Sequence, residues 1–166
     1  PVIRREVSHP TGITGTGAIA LIHQAMTANL VTLPRINTVD SRLHLGRDVF
    51  FTEDDLFEAG KAVGAIRAGY ITLCRQAGIS PEDIQTAYMA GASGTYVDAV
   101  KAQKLGMIPP RVRNVFQVGN TSLAMARDLV MNMKNLDVMS NIARQFGETH
   151  CMLALSDTFK KIYIFF

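Results

Sequence analysis

The chain has 166 residues, of which 48% are hydrophobic and 19% charged, enough apolar material for one packed core and too apolar for an intrinsically disordered segment. Seventeen Lys and Arg against fourteen Asp and Glu leave a formal charge of +3; the basic residues form no run, which argues against a nucleic-acid partner. No stretch approaches the roughly 18–20 consecutive apolar residues of a membrane span, so no membrane association is expected.

Residues 1–8 (PVIRREVS) alternate like a strand. They lead into a glycine-punctuated turn, Gly12 to Gly17, and then a helix on which Ile19, Ile22, Met26 and Leu30 fall at helical spacing. Residues 32–48 mix Pro, Asn, Asp, Ser and Gly with isolated apolar positions, the pattern of an extended connection with a short hairpin. Thr52-Glu53-Asp54-Asp55 is a capping-box pattern opening a long helix that runs to about Ala77 and closes at Gly78. Its interior carries Gly60, Gly64 and Gly69, each costing about 1 kcal/mol against alanine. Either another backbone or a ligand lies close against this helix.

Ser80-Pro81 starts a brief helical turn, and residues 84–91 (IQTAYMAG) form a buried strand. Gly91 to Gly94 is a second glycine turn, and residues 95–106 read as one helix. After a Pro-Pro connection, residues 113–119 (RNVFQVG) form another short strand that enters a helix at Asn120. A further helix is expected from Asp137 to about Phe146, then a strand over residues 147–155 (GETHCMLAL), then a final helix from residue 156. Strands alternating with helices predict an α/β fold with a partly parallel sheet.

Three glycine-rich turns therefore stand where a strand hands over to a helix. There, unpaired backbone N–H groups and the absence of a side chain admit a phosphate or sugar. The phosphate-loop pattern G-x-x-x-x-G-K-S/T is absent, and GITGTG is not the dinucleotide fingerprint. Cys74 and Cys151, far apart, exclude a disulfide framework, a zinc site and a self-contained iron–sulfur cluster, and read as buried thiols in a reducing cytoplasm. His9, His23, His44 and His150 lack metal-ligand spacing and read as structural or surface residues. The methionines read as core filler, and Asp54, Asp55 and Glu58 as cap and helix-dipole residues. No metal ligands are expected in this chain.

The stretch MAGASGTYVDAVKAQKLGMIP after a strand resembles the adenosine-binding motif of the superfamily that unites acetate and sugar kinases, heat-shock chaperones and actin (ASKHA). More narrowly, GITGTGAIALIHQAMTANLV, GKAVGAIRAGYITLCRQAGIS, DIQTAYMAGASGTYVDAVKAQKLGMIP and VGNTSLAMARDLV are similar, in order, to the C-terminal part of the ATPase domain of reductive activators of corrinoid proteins. Among these the resemblance is to the activators of methylamine methyltransferase systems. It implies that Gly91, Ala92, Ser93 and Gly94 contact adenine or ribose through the backbone. It further implies that Gly15, Thr16 and Gly17 face ribose and phosphates across the cleft. Lys61 and Arg67 stand on the helix bordering the ribose and adenine, although both read equally well as solvated cations. Asn120 caps the helix beside the adenine pocket, and a cap is all it need be.

The two phosphate motifs of that superfamily, each an Asp before glycines and Thr or Ser, do not occur: Asp40, Asp48, Asp98 and Asp137 stand in no D-x-G context. Phosphoryl transfer rests on positioning and charge stabilisation, so no catalytic residue is assigned and the chain alone is expected to be silent. The expectation is a ribonuclease H-like lobe of an actin-like ATPase domain, incomplete, spanning residues 1–166 as one domain of a longer protein. For that longer protein the resemblance implies ATP with Mg²⁺, an iron–sulfur cluster elsewhere, and a corrinoid protein whose Co(II) is returned to Co(I). Its other partners would be the remainder of its own ATPase domain and a homodimer mate. A non-catalytic interaction or dimerisation module, or a fragment of another kinase or dehydratase activator, is the alternative.

Overall fold

The structure, a computed structural model, describes residues 11–46 and 48–164; the strand expected over residues 1–8 lies outside them. Helix α1 (Gly15–Thr27) starts where the Thr14 side chain accepts from the Gly17 N–H at 3.1 Å. It buries Ile19, Ile22 and Ala25 along one face. Two short antiparallel hairpins occupy the following connection, β1 (Val31–Thr32) with β2 (Arg35–Ile36) and β3 (Arg42–His44) with β4 (Phe50–Thr52). The second pairs Leu43 with Phe51, both buried. One hairpin was expected there and two are formed, the first turning at Leu33-Pro34.

Helix α2 (Glu53–Gln76) is capped as its sequence requires: the Asp55 N–H donates to Thr52 Oγ1 at 3.2 Å and the Thr52 N–H to Asp55 Oδ2 at 2.9 Å. Glu53 also accepts from the Ile36 N–H at 3.1 Å, tying the helix start to the first hairpin. Thr52→Ala removes this reciprocal cap and is expected to cost about 1 kcal/mol in denaturant unfolding, without changing the fold. The small residues of α2 are largely interior, with Gly60, Gly64, Ala68 and Gly69 buried. A side chain of Leu153 lies 3.6 Å from where a Gly69 Cβ would be. Helix α7 (Asp157–Ile164) packs along α2, where Arg75 Nη1 donates to Thr158 Oγ1 at 3.2 Å.

Strands β5 (Thr86–Ala90) and β6 (Asn114–Gly119) pair in parallel. Between them the turn expected at Gly91–Gly94 is itself helical and opens α3 (Gly91–Tyr96), while the helix expected over residues 95–106 is broken between the end of α3 and α4 (Ala99–Lys104). The break has a cause: Asp98 accepts from the N–H groups of Val100 (3.0 Å) and Lys101 (3.1 Å), starting a new helix, while the extended Val97 turns into the core. Those hydrogen bonds, that to Lys101 first, hold the Asp98 carboxyl below its usual pKa. A carboxylate depressed in the folded state stabilises it above the unfolded pKa and loses that effect as pH falls through the folded one. Asp98→Asn is therefore expected to flatten the acid limb of the stability–pH curve, read by thermal melts from neutral pH downward.

Helices α5 (Thr121–Met131) and α6 (Asn135–Glu148) follow. The strand expected over residues 147–155 is not formed: α6 runs through Glu148 and Leu153–Leu155 make a 3-10 turn. The stretch CMLAL is apolar without the alternation or partner a strand needs, and apolar runs this short do not choose between states. Cys74 is buried as expected, whereas Cys151 is half-buried. The core joins α1, both hairpins, α2 and the inner side of the sheet, through Ile22, Phe51, Leu56, Val63, Val97, Ala102 and Ile108.

Candidate functional site

Parallel pairing sets Ala90 opposite Gly119, so both strands end at one edge and two of the three glycine turns meet there. Gly91 has φ +87° and Gly119 φ +71°, the left-handed region where a side chain is strained. In open α/β sheets ligands sit beyond the carboxyl ends of the strands, where backbone turns into helix. Beyond Gly119, Asn120 caps α5 by accepting from the Leu123 N–H at 3.2 Å.

Two side chains that the sequence did not single out shape this edge. Gln117 Nε2 donates to the carbonyls of Val97 (2.8 Å) and Gly94 (3.1 Å), fastening α3 to β6. Tyr70, on α2, lines a cleft of about 430 Å³ together with Ile66, Met89, Ser93, Gly94 and Val97. Gly94 belongs to the packing: a Cβ there would stand 3.1 Å from the Met89 carbonyl carbon, so the helix rests directly on the strand. The one internal signal for Gln117 was a polar residue inside a short apolar strand.

Of the expected residues, Ser93 and Gly94 line this cleft; Gly91, Ala92 and Asn120 do not, and the others lie elsewhere. Gly15, Thr16 and Gly17 form the start of α1, where Thr14 and Thr16 hydroxyls are 3.1 Å apart, and they do not line the cleft at Ser93 and Gly94. The Lys61 ammonium bonds Glu58, which raises its pKa, and sits 4.8 Å from the Phe57 ring centroid. Arg67 lies along Gly106, whose Cβ would stand 3.4 Å from Arg67 Cδ. Arg67 lines a second cleft, of about 300 Å³, with Tyr70, Gln103, Lys104 and Gly106, where the Tyr70 hydroxyl donates to the Gly106 carbonyl at 3.3 Å. Ala92 is exposed on α3.

Among the described residues there is no cluster of three His, Cys, Asp or Glu able to hold a metal ion, and no helix long and apolar enough to cross a membrane. Among the described residues, His23 Nδ1 and Thr72 Oγ1 are buried without a hydrogen-bond partner.

Comparison with known proteins sorts these features. The family described as the C-terminal domain of RACo, the ASKHA domain, matches residues 2–165. A Co(II) methylated amine-specific corrinoid protein reductase of Methanosarcina barkeri is 45% identical over 154 residues, covering 92% of this chain and 28% of its own length. The corrinoid activation enzyme RamQ of Eubacterium limosum is 28% identical over 121 residues, 72% of this chain and 20% of its own. This chain thus spans between a fifth and about a quarter of these relatives. An α/β unit with its glycine turns at the carboxyl edge of a parallel strand pair, matched almost end to end, belongs to the family of C-terminal ASKHA domains of RACo.

Proposed function

We propose that this chain supplies the adenosine side of the nucleotide cleft in an ATP-dependent reductive activator that returns Co(II) corrinoid protein to the Co(I) state used for methyl transfer. The observation that carries the reading is the meeting of the Gly91 and Gly119 turns at one sheet edge, beside an apolar cleft walled by Ile66, Tyr70 and Met89. Such a cleft suits a flat apolar base, and the positive-φ turns leave backbone open to a ribose. The names of the two relatives supply the corrinoid partner.

The residues fit the adenosine portion of ATP. Gly91 to Gly94 offer backbone to base and sugar, Gln117 holds that turn in place, and Asn120 keeps α5 starting beside it. The Gly15 to Gly17 turn, at the start of α1, is assigned to the sugar and phosphates across the cleft. ATP, with Mg²⁺, supplies binding and hydrolysis energy for an unfavourable electron transfer; the phosphate clamps and the iron–sulfur electron source belong to the rest of the protein. The setting is the cytoplasm.

The test uses the full-length protein with its Co(II) corrinoid partner and a low-potential one-electron donor. Each electron delivered converts one Co(II) to Co(I), followed by absorbance. Co(I) should accumulate with ATP present and stop when ATP is withheld. Equal rates without nucleotide would remove the reading.

A further inference from the structure

Arg67 and Lys104 stand on different helices, the middle of α2 and the last turn of α4, yet border one cleft of about 300 Å³. The rest of its wall is largely apolar: Met26 of α1, Leu33 of the first hairpin, and Leu105 and Ile108 beyond α4. No carboxylate lines it. Among the described residues, ion pairs engage Arg35, Lys61, Lys101, Arg111 and Arg127, but neither Arg67 nor Lys104 has an acidic partner. A cleft bordered by two cations and no acid carries a positive potential, which draws an anion.

The Arg67 side chain is also braced. Its stem lies on Gly106, where a Cβ would stand 3.4 Å from Arg67 Cδ and 3.8 Å from Nε and Nη1, and where φ is +84°. The Tyr70 hydroxyl holds that glycine through its carbonyl. Burial raises the Tyr70 pKa against the opposing Arg67 charge, so the phenol keeps its proton and remains a donor. The backbone that follows is pinned by Gln103 Nε2, which donates to the carbonyls of Pro109 (3.0 Å) and Val112 (2.9 Å). A guanidinium held in this way loses little freedom on meeting an oxyanion, whose geometry its fork of N–H donors matches.

We infer that the Arg67–Lys104 cleft is a binding site for a small organic oxyanion, a phosphate or carboxylate carried on a short apolar body. The guanidinium and the ammonium take the oxyanion, and Met26, Leu33, Leu105 and Ile108 take the body. Its volume lies at the small end of ligand pockets, too little for a bulky cofactor. The cleft at Ser93 shares Tyr70 and Ile108 with it but is lined by no charged residue, so the two select different chemistry. The inference stands apart from the nucleotide reading.

Titration of the full-length protein with phenyl phosphate and with benzoate, followed by ligand-observed NMR, tests it. Inorganic phosphate and phenol serve as probes that lack the body or the charge. At least one of the two aromatic anions should bind saturably and protect Arg67 from phenylglyoxal, read by peptide mapping; the tighter of them identifies the oxyanion. Arg67→Gln and Lys104→Gln should each weaken that binding about tenfold, whereas Arg127→Gln on α5 should leave it unchanged, and saturating ATP should not displace the probe. Absence of saturable binding, equal affinity for inorganic phosphate, displacement by ATP, or unchanged affinity in both cleft variants would each overturn the inference. Should Arg67→Gln fail to fold, Lys104→Gln, at an exposed position, and the protection of wild-type Arg67 still decide.

Discussion

Replacing Gly91 with Val in the full-length protein is expected to weaken ATP binding by about one to two orders of magnitude, the equivalent of the roughly 1–3 kcal/mol that a left-handed backbone costs a non-glycine residue. Crowding is not the reason. A Cβ at Gly91 meets nothing within 4 Å, so there is room for the side chain but a penalty on φ +87°. The turn escapes that penalty by changing its backbone, and its backbone is what the proposed function assigns to the nucleotide. Gly94 behaves oppositely, with an ordinary φ but a Cβ 3.1 Å from the Met89 carbonyl carbon. Gly94→Ala should therefore reduce stability while Gly91→Val reduces affinity. Calorimetric titration with ATP and thermal melts of both variants separate the two effects; unchanged affinity in Gly91→Val would withdraw the adenosine turn.

The largest effect on stability is expected at Leu56. It is 2% exposed, on the inner face of α2, within the cluster that joins Phe51, Val63 and Ile36. Leu56→Ala should cost about 3 kcal/mol, since the lost transfer energy is joined by a cavity that close-packed neighbours fill only in part. Phe57, its neighbour, is 56% exposed, and Phe57→Ala should cost under about 1 kcal/mol. Denaturant unfolding of the full-length protein measures both, and equal costs would mean that α2 packs with a different face inward.

What could be read from the sequence was whatever depends on neighbours in the chain. The Thr52–Asp55 capping box, the Gly78 stop and the Asn120 cap are local hydrogen-bonding patterns, and each is present as written. The glycine turns after β5 and β6 were legible for the same reason. That they meet at one edge was not, because it depends on parallel pairing across 28 residues, from Thr86 to Asn114. Residues 147–155 read as a strand on apolar content alone, and no partner strand exists among the described residues to make them one. Asp98 looked like one more residue of a continuous helix until its carboxylate was seen capping a second one. Arg67 and Tyr70, one turn apart on α2, both border Gly106, whose carbonyl accepts from the Tyr70 hydroxyl at 3.3 Å, but of the two it is Tyr70 that also reaches the cleft at Ser93. Helical spacing alone does not say which residue of a shared face reaches which cleft.

The central claim, that the carboxyl edge of β5–β6 holds the adenosine of ATP, is tested most directly by photolabelling the full-length protein with 8-azido-ATP and mapping the modified peptide. The account predicts label within residues 86–98 or 117–123, suppressed by excess ATP and reduced in Gly91→Val. ATP-suppressible label confined to residues outside both segments would contradict it.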